Sequence, residues 1–272
     1  QDVPIAVTAL SADAIDKLGL LNIGDVAEQV PSVTLEPTRA TSTTLTAFIR
    51  GVGQQDPLVG FEPGVAIYLD DVYLARPQGA LLDIYDIERV EVLRGPQGTL
   101  YGRNAVGGAI KYVTRRLSDE VDVRLRANVG MFNQRDVVAT ASTPVGDAFR
   151  IGGTVASFNR DGFGENFTTG EEHYNKDLFA YRVSAEFEPN ADLLVRVAYD
   201  NLEDKSNPVF GYRPYPGAVS GAPVLDDLRD TTAGAPSNET TAAIGGRNEL
   251  EGEGWMVSVD WQLSETITLR SI

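Results

Sequence analysis

From residue 120 onward the chain alternates with a period of two. Across 120–131 the odd positions are Val121, Val123, Leu125, Ala127, Val129 and Met131, and the even ones include Asp122, Arg124, Arg126 and Asn128. Successive side chains of a strand point to opposite faces, so this segment has one apolar and one polar face. The pattern returns in 148–159, 178–187, 193–201 and 255–263; 135–143 fits it less cleanly, and 267–272 begins one more strand. The connections alternate too. Residues 144–147, 188–192 and 264–266 are short links, whereas 160–176 and 204–252 are long. Short turns on one side and long loops on the other match an outer-membrane β-barrel, whose apolar row faces lipid and polar row faces the lumen. Tyr199, Trp255 and Trp261 are candidates for its aromatic girdles. A soluble β-sandwich alternates equally well, with its apolar face turned to a second sheet. Alternation alone leaves both open.

Composition removes several function classes. With 42% hydrophobic and 23% charged residues the chain is folded rather than disordered. It has no Cys, which excludes a disulfide framework and thiol chemistry, and its single His, His173, excludes a multi-histidine metal cluster. A formal charge of −16, most of it downstream of Arg116, argues against nucleic acid as a partner. No apolar run reaches the length of a membrane-spanning helix, a test to which barrel strands are blind. The chain opens at Gln1-Asp2-Val3-Pro4 without a signal peptide, so a leader removed with more of the N-terminus is expected.

Upstream of Arg116 the grammar is mixed α/β. Residues 5–8 form a strand. Ser11 caps a helix over 12–18 closed by Gly19, and Asn22 caps a second through Val30, ended by Pro31. Strands follow at 32–36, 41–50, 65–69 and 72–75, with one helical turn at 81–85. Asp70 and Asp71 sit in a tight turn between apolar strands. Adjacent acids there are read as turn formers that bond their own backbone, rather than as a metal or acid–base pair. Residues 87–116 are the hinge between the two grammars: an amphipathic strand, then Gly95, Gly98, Gly102, Gly107 and Gly108 around Pro96, then a strand over 109–114. Such glycine density means a backbone doubling back in a confined space. Neither nucleotide template fits. Gly102 is followed by Arg103-Asn104 instead of Lys-Ser/Thr, and the pattern begun by Gly51-Val52-Gly53 meets Asp56 where a glycine is needed.

Three motifs in order, Ile49-Arg50-Gly51-Val52-Gly53, then Val65-Ala66-Ile67-Tyr68-Leu69-Asp70-Asp71-Val72-Tyr73, then 87–116, resemble the plug domain of TonB-dependent outer-membrane receptors. The resemblance implies an α+β plug domain at 1–116, followed at 117–272 by about seven antiparallel transmembrane β-barrel strands. Plugged transporters use about 22 strands, so an incomplete barrel, a fragment of a longer receptor, is expected. It further implies an active-transport receptor in the outer membrane of a Gram-negative bacterium. Its cargo would be a scarce extracellular ligand, a ferric siderophore foremost, with vitamin B12 or an oligosaccharide open. Its partners would be the lipid bilayer and the TonB energy-transducing complex, gripped through a peptide preceding Gln1. No cofactor, resident metal or catalytic residue is implied.

On that reading Arg50 and Arg94 pair with barrel carboxylates, expected in the strands missing from this fragment, since a charge in a filled lumen needs a partner. Gly51, Gly95, Gly98, Tyr101, Gly102, Gly107 and Gly108 are structural. Ligand contacts are expected from plug loops: Gln54, Gln55, Phe61, Arg76 and Gln78, with Phe61 and Arg76 suited to an anionic, ring-bearing ligand. The acidic loop of 204–252 works against a strongly anionic one. Two other classes compete. One is a secreted β-rich binding or adhesion protein. The other is a hydrolase, which needs carboxylates flanking a substrate bond and finds only the turn pair Asp70-Asp71.

Overall fold

The computed structural model describes residues 6–20, 22–37, 44–54, 62–75, 86–166, 169–208 and 248–272. The expected helical turn at 81–85 lies outside them. The N-terminal part runs β1 (Ala6–Ser11), α1 (Ala12–Leu18), α2 (Ile23–Glu28), β2 (Val33–Pro37), β3 (Leu45–Ile49), β4 (Val52–Gln54), β5 (Val65–Leu69), β6 (Val72–Tyr73), β7 (Ile87–Arg94), α3 (Gly98–Tyr101) and β8 (Gly108–Thr114). The Ser11 side chain accepts from Ala14 N at 3.3 Å, and Gly19 closes α1 in the left-handed region. At α2, Asn22 and Asp25 satisfy each other's backbone N–H, a reciprocal capping box. The helix ends at Glu28, earlier than the expected Val30. The one-turn α3 was not anticipated; it sits inside the glycine-dense segment.

Five strands form one sheet in the order β1-β7-β8-β5-β6, parallel only between β5 and β8, and β2-β3-β4 form a second. Alternation divides the five-stranded sheet's faces. Val65, Ile67, Val90, Val92, Ile110 and Tyr112 bury one face against α1, α2 and β3. Ala66, Tyr68, Leu93, Ala105 and Ala109 form a smaller cluster with Tyr73 and Tyr101. Gly108 shows why the crossing is tight: its φ is 153°, and a Cβ there would strike the Leu93 carbonyl.

Downstream come β9 (Asp122–Gly130), β10 (Gln134–Val145), β11 (Phe149–Arg160), a small hairpin of β12 (Gly164–Glu165) and β13 (Glu172–His173), then β14 (Lys176–Asn190), β15 (Leu193–Asp204), β16 (Leu250–Ser264) and β17 (Ile267–Ser271). Seven of these make an antiparallel sheet in the order β17-β16-β15-β14-β11-β10-β9. Several run past the expected ends: β14 and β16 reach 15 residues because ladder pairing continues beyond the apolar alternation.

The faces decide between barrel wall and sandwich. Val121, Val123 and Leu125 are each 73% exposed and Trp255 is 74% exposed, while Thr154, Arg182, Glu186 and Ser258 on the opposite face are buried. Among the described residues no second sheet covers the apolar row. It carries cross-strand aromatic contacts instead, Phe149–Phe187 at 5.7 Å and Tyr199–Trp255 at 4.6 Å. The polar face receives the N-terminal part.

Candidate functional site

The site is the surface where the two parts meet. It begins at the β5–β6 hairpin, where Leu69 pairs with Val72 and only two residues turn. Asp70 and Asp71 both adopt positive φ, 48° and 70°. A two-residue turn of this hand demands that conformation, and short polar side chains tolerate it. The turn reading of these acids therefore describes their backbone. Their side chains do something else. Asp70 accepts from Thr114 N at 2.8 Å, from the Thr114 hydroxyl at 2.6 Å and from Arg182 Nη2 at 2.6 Å. Arg182, on β14, reaches with Nη1 to Asp200 on β15 at 3.0 Å. The Asp70 and Arg182 side chains are 3% and 4% exposed. Asp71 meets Lys111 and also Arg270 of β17 at 2.6 Å, and Arg270 pairs in turn with Asp260 at 3.2 Å.

A second anchor centres on Glu186 of β14, 1% exposed. It accepts from Arg116 Nε at 2.7 Å and from Arg196 Nε at 3.1 Å. Arg150, Glu186 and Arg196 stand directly opposite one another on three strands, so the charges alternate across the sheet. Arg116 and Arg150 also share Glu188, at 2.9 and 2.7 Å. Arg196 returns to the N-terminal part through Thr114 Oγ1 at 3.3 Å. The segment leaving β8 is thus strapped to the sheet, and Leu117 lies on Gly152. A Cβ on Gly152 would come 2.6 Å from Leu117 Cδ2.

Around these anchors the fit is loose. A cavity of about 570 Å³ separates α1 from β9 and β10, lined by Asp16, Asp86, Arg115, Arg124 and Arg126 among others. Burial pushes the Asp86 carboxyl above its usual range, against a Thr154 hydrogen bond and the Arg182, Arg115 and Arg124 guanidiniums. A smaller space of about 200 Å³ lies between Val72 and Leu74 on one side and Gly252, Gly254 and Met256 on the other. Chemically, such an interface holds a body by exchangeable ion pairs and leaves room for water beside them. Glu203, Glu249 and Glu251 bring their oxygens within 4.8 Å at the outer end of β15 and β16, where Lys205 pairs with Glu203.

The residues expected at a site fall as follows. Gln54 ends β4, while Gln55, Phe61, Arg76 and Gln78 lie outside the described residues. Arg50 and Gly51 turn the β3–β4 hairpin at positive φ, 52° and 78°. The Arg50 guanidinium lies beside Gly95, where an added Cβ would stand 3.4 Å from Nη1. Arg94 Nη1 donates to Pro31 O at 3.4 Å. Neither arginine meets a carboxylate of the sheet among the described residues; both lie against the N-terminal part's own backbone. Gly95 N donates to Gly107 O, and Gly107 packs on the Val52 carbonyl. Gly98 starts α3 and Gly102 follows its end at φ 78°. The Tyr101 carbonyl accepts from the Tyr68 hydroxyl at 2.5 Å. Asp70, Asp71, Arg116, Arg182, Glu186, Arg196 and Arg270 were not anticipated as site residues. The available signal was the recurrence of Arg and acid on the polar parity of β14 and β15.

Residues 1–109 match the TonB-dependent receptor plug domain family. These residues are a TonB-dependent receptor plug domain. Two curated relatives agree: the iron-regulated outer membrane virulence protein of Vibrio cholerae, 30% identical over 131 residues, and the pesticin receptor of Yersinia pestis, 31% identical over 115. The matches cover 43% and 41% of this chain, and 18% and 16% of those proteins, so the chain spans under a fifth of their length. Among solved structures, the ferric yersiniabactin uptake receptor FyuA from Yersinia pestis aligns with a TM-score of 0.77 at 19% identity, over 95% of this chain and 38% of that one. The ferric-catecholate import receptor Fiu from E. coli K12 aligns at 0.75 and 17% identity, over 99% and 36%. The likeness establishes the fold: a plug seated on the lumenal face of an unclosed run of barrel strands. The chain is an outer-membrane protein.

Proposed function

We propose that this chain supplies the plug and part of the wall of a receptor that imports a scarce iron chelate into the periplasm. The observation that carries the reading is the buried Asp70–Arg182–Asp200 chain, which ties a separate body to the lumenal face of a lipid-facing wall. A static scaffold has no use for an ion-paired cork, because apolar packing of the same volume holds as well or better. Ion pairs can be exchanged for water one at a time as the plug moves. The names of the relatives point to the cargo: an iron-regulated protein, a ferric yersiniabactin receptor and a ferric-catecholate receptor. On this reading the work is binding and gating, without catalysis. The energy comes from the TonB complex acting on the plug, with the ligand held by outward plug loops.

The test is uptake of radiolabelled ferric chelates by a deletion strain complemented with the full-length receptor. Energy-dependent uptake of one chelate, lost on deletion, is expected. Unchanged uptake across a panel of ferric siderophores, with a defect only for vitamin B12 or a glycan, would move the protein to another cargo class.

A further inference from the structure

We propose that the space between α1 and the wall strands β9 and β10 binds a small polyanion, a molecule with two or more carboxylates or equivalent oxyanion groups, and that the bound anion bridges plug and wall. The site is separate from the outward plug loops. It needs only the seating of the plug against the wall, whatever the cargo.

An orphaned donor marks it. Arg115 Nε is buried and finds no acceptor among the described residues, and no carboxylate there lies within ion-pair distance of this guanidinium. A buried donor without an acceptor is costly and calls for a reason. The backbone beneath it is clamped on both sides. Thr114 N donates to Asp70 at 2.8 Å, Arg116 Nε donates to Glu186 at 2.7 Å, and Arg115 N itself donates to Asp86 O at 3.1 Å. Arg115 is thus held at the cavity before any ligand arrives, which lowers the cost of binding one.

Two further guanidiniums line the same cavity from the wall. Arg124 and Arg126 are two residues apart on β9 and so share a face. Arg124 pairs with Asp122 and is 43% exposed; Arg126 meets Asp16 of α1 at 3.6 Å, and Asp16 is 63% exposed. Pairs this open to water are weak and readily exchanged. The remaining acid of the lining, Asp86, is buried, bonds Thr154 and resists ionisation, so it is a poor counter-ion. Ile15, Ile87 and Val138 add apolar surface that strengthens any charge contact made inside. The volume of about 570 Å³ falls within the roughly 300–1,000 Å³ of small-molecule sites.

The spread of the arginines selects the ligand chemistry. A guanidinium grips a carboxylate or phosphate through two parallel N–H donors. A monoanion would satisfy the arginine of one body. A small polyanion would meet Arg115 on the plug and Arg124 or Arg126 on the wall together, replacing the exposed pairs to Asp122 and Asp16 with its own oxygens. A ligand that binds only the seated plug also stabilises that seating.

The experiment is calorimetric titration of citrate into the intact full-length receptor in mild detergent at low ionic strength, with protease resistance of the plug followed in parallel. It compares wild type with Arg115→Gln, with Arg124→Gln/Arg126→Gln, and with Arg135→Gln, which removes one charge at the outer end of β10, outside the cavity. Heat-modifiable gel mobility confirms that each barrel is folded. Wild type and Arg135→Gln should bind citrate and gain plug protection. Each cavity variant should bind about tenfold more weakly, the loss of one charge-assisted contact, and gain less protection. Should Arg115→Gln fail to fold, the partly exposed β9 pair decides alone. The binding lost in the cavity variants is then compared for ferric and iron-free citrate. Tighter binding of the ferric form makes the ligand a chelate in passage, and equal or weaker binding makes it a free polycarboxylate; either supports the site. Unchanged affinity in the cavity variants, or no saturable binding of citrate to wild type, overturns the proposal.

Discussion

The plug sheet and the wall sheet are written in the same alternating code and turned opposite ways. In β5 and β7 the buried rows are Val65, Ile67, Val90 and Val92. In β14 the buried row contains Leu178, Ala180, Arg182 and Glu186, and Phe179, Val183 and Phe187 are exposed. The plug lies within the lumen and hides its apolar rows from water. The wall has hydrocarbon outside, so its apolar row needs no protein cover and its polar row becomes the interior. The contrast teaches that alternation reports which faces differ, and the surrounding solvent decides which one is inside.

The contrast can be broken in three places. Arg182→Ala strikes the wall where it is polar inside. It leaves Asp70 and Asp200 buried without their guanidinium, and should destabilise the plug–wall junction by about 3–5 kcal/mol. Denaturation of the intact receptor in detergent, followed by protease sensitivity of the plug, reads this out. Ile67→Ala strikes the plug where it is apolar inside and should cost about 2–5 kcal/mol, seen as a lower denaturation midpoint of the plug with barrel mobility unchanged. Val183→Arg, on the exposed face of β14, would be near neutral in a sheet facing water. Facing lipid, it should reduce barrel insertion by about 2–4 kcal/mol when refolding into vesicles is measured. Wild-type refolding yields for Val183→Arg would remove the bilayer from the comparison.

Asp86 sharpens the contrast by the smallest amount. Its folded pKa lies above the ordinary 3.8, so the folded state prefers the protonated acid. That stability is fully present below the unfolded value and is lost as pH rises through the folded one. Asp86→Asn should flatten the stability profile above about pH 4 and make the variant slightly more stable at neutral pH. Parallel profiles for the two proteins would show that the guanidiniums, and not burial, control this carboxyl.

Much of the architecture was legible in local signals. The caps at Ser11 and Asn22 and the seven alternating segments need only neighbours in sequence to be read. The strand ends were less legible, because pairing in β14 and β16 continues where the alternation fades. The plug–wall site was mostly hidden. Asp70 and Arg182 are 112 positions apart and meet only because a hairpin tip in one sheet touches the middle of a strand in another. Arg50 and Arg94 stood out through their place before glycines, a local feature; among the described residues one lies beside Gly95 and the other on the Pro31 carbonyl. Turn chemistry explained the backbone of Asp70-Asp71 and concealed the use of the side chains.

Gly152 has a consequence for anyone grafting one receptor's cork into another's barrel. The bare backbone at that position is the eyelet through which Leu117 cinches the cord between them. A chimera joined at the start of β9 would separate cord from eyelet, and a host residue with any side chain at the Gly152 position would push the cord aside. The transplantable module therefore ends after β11, carrying both halves of the fastening together.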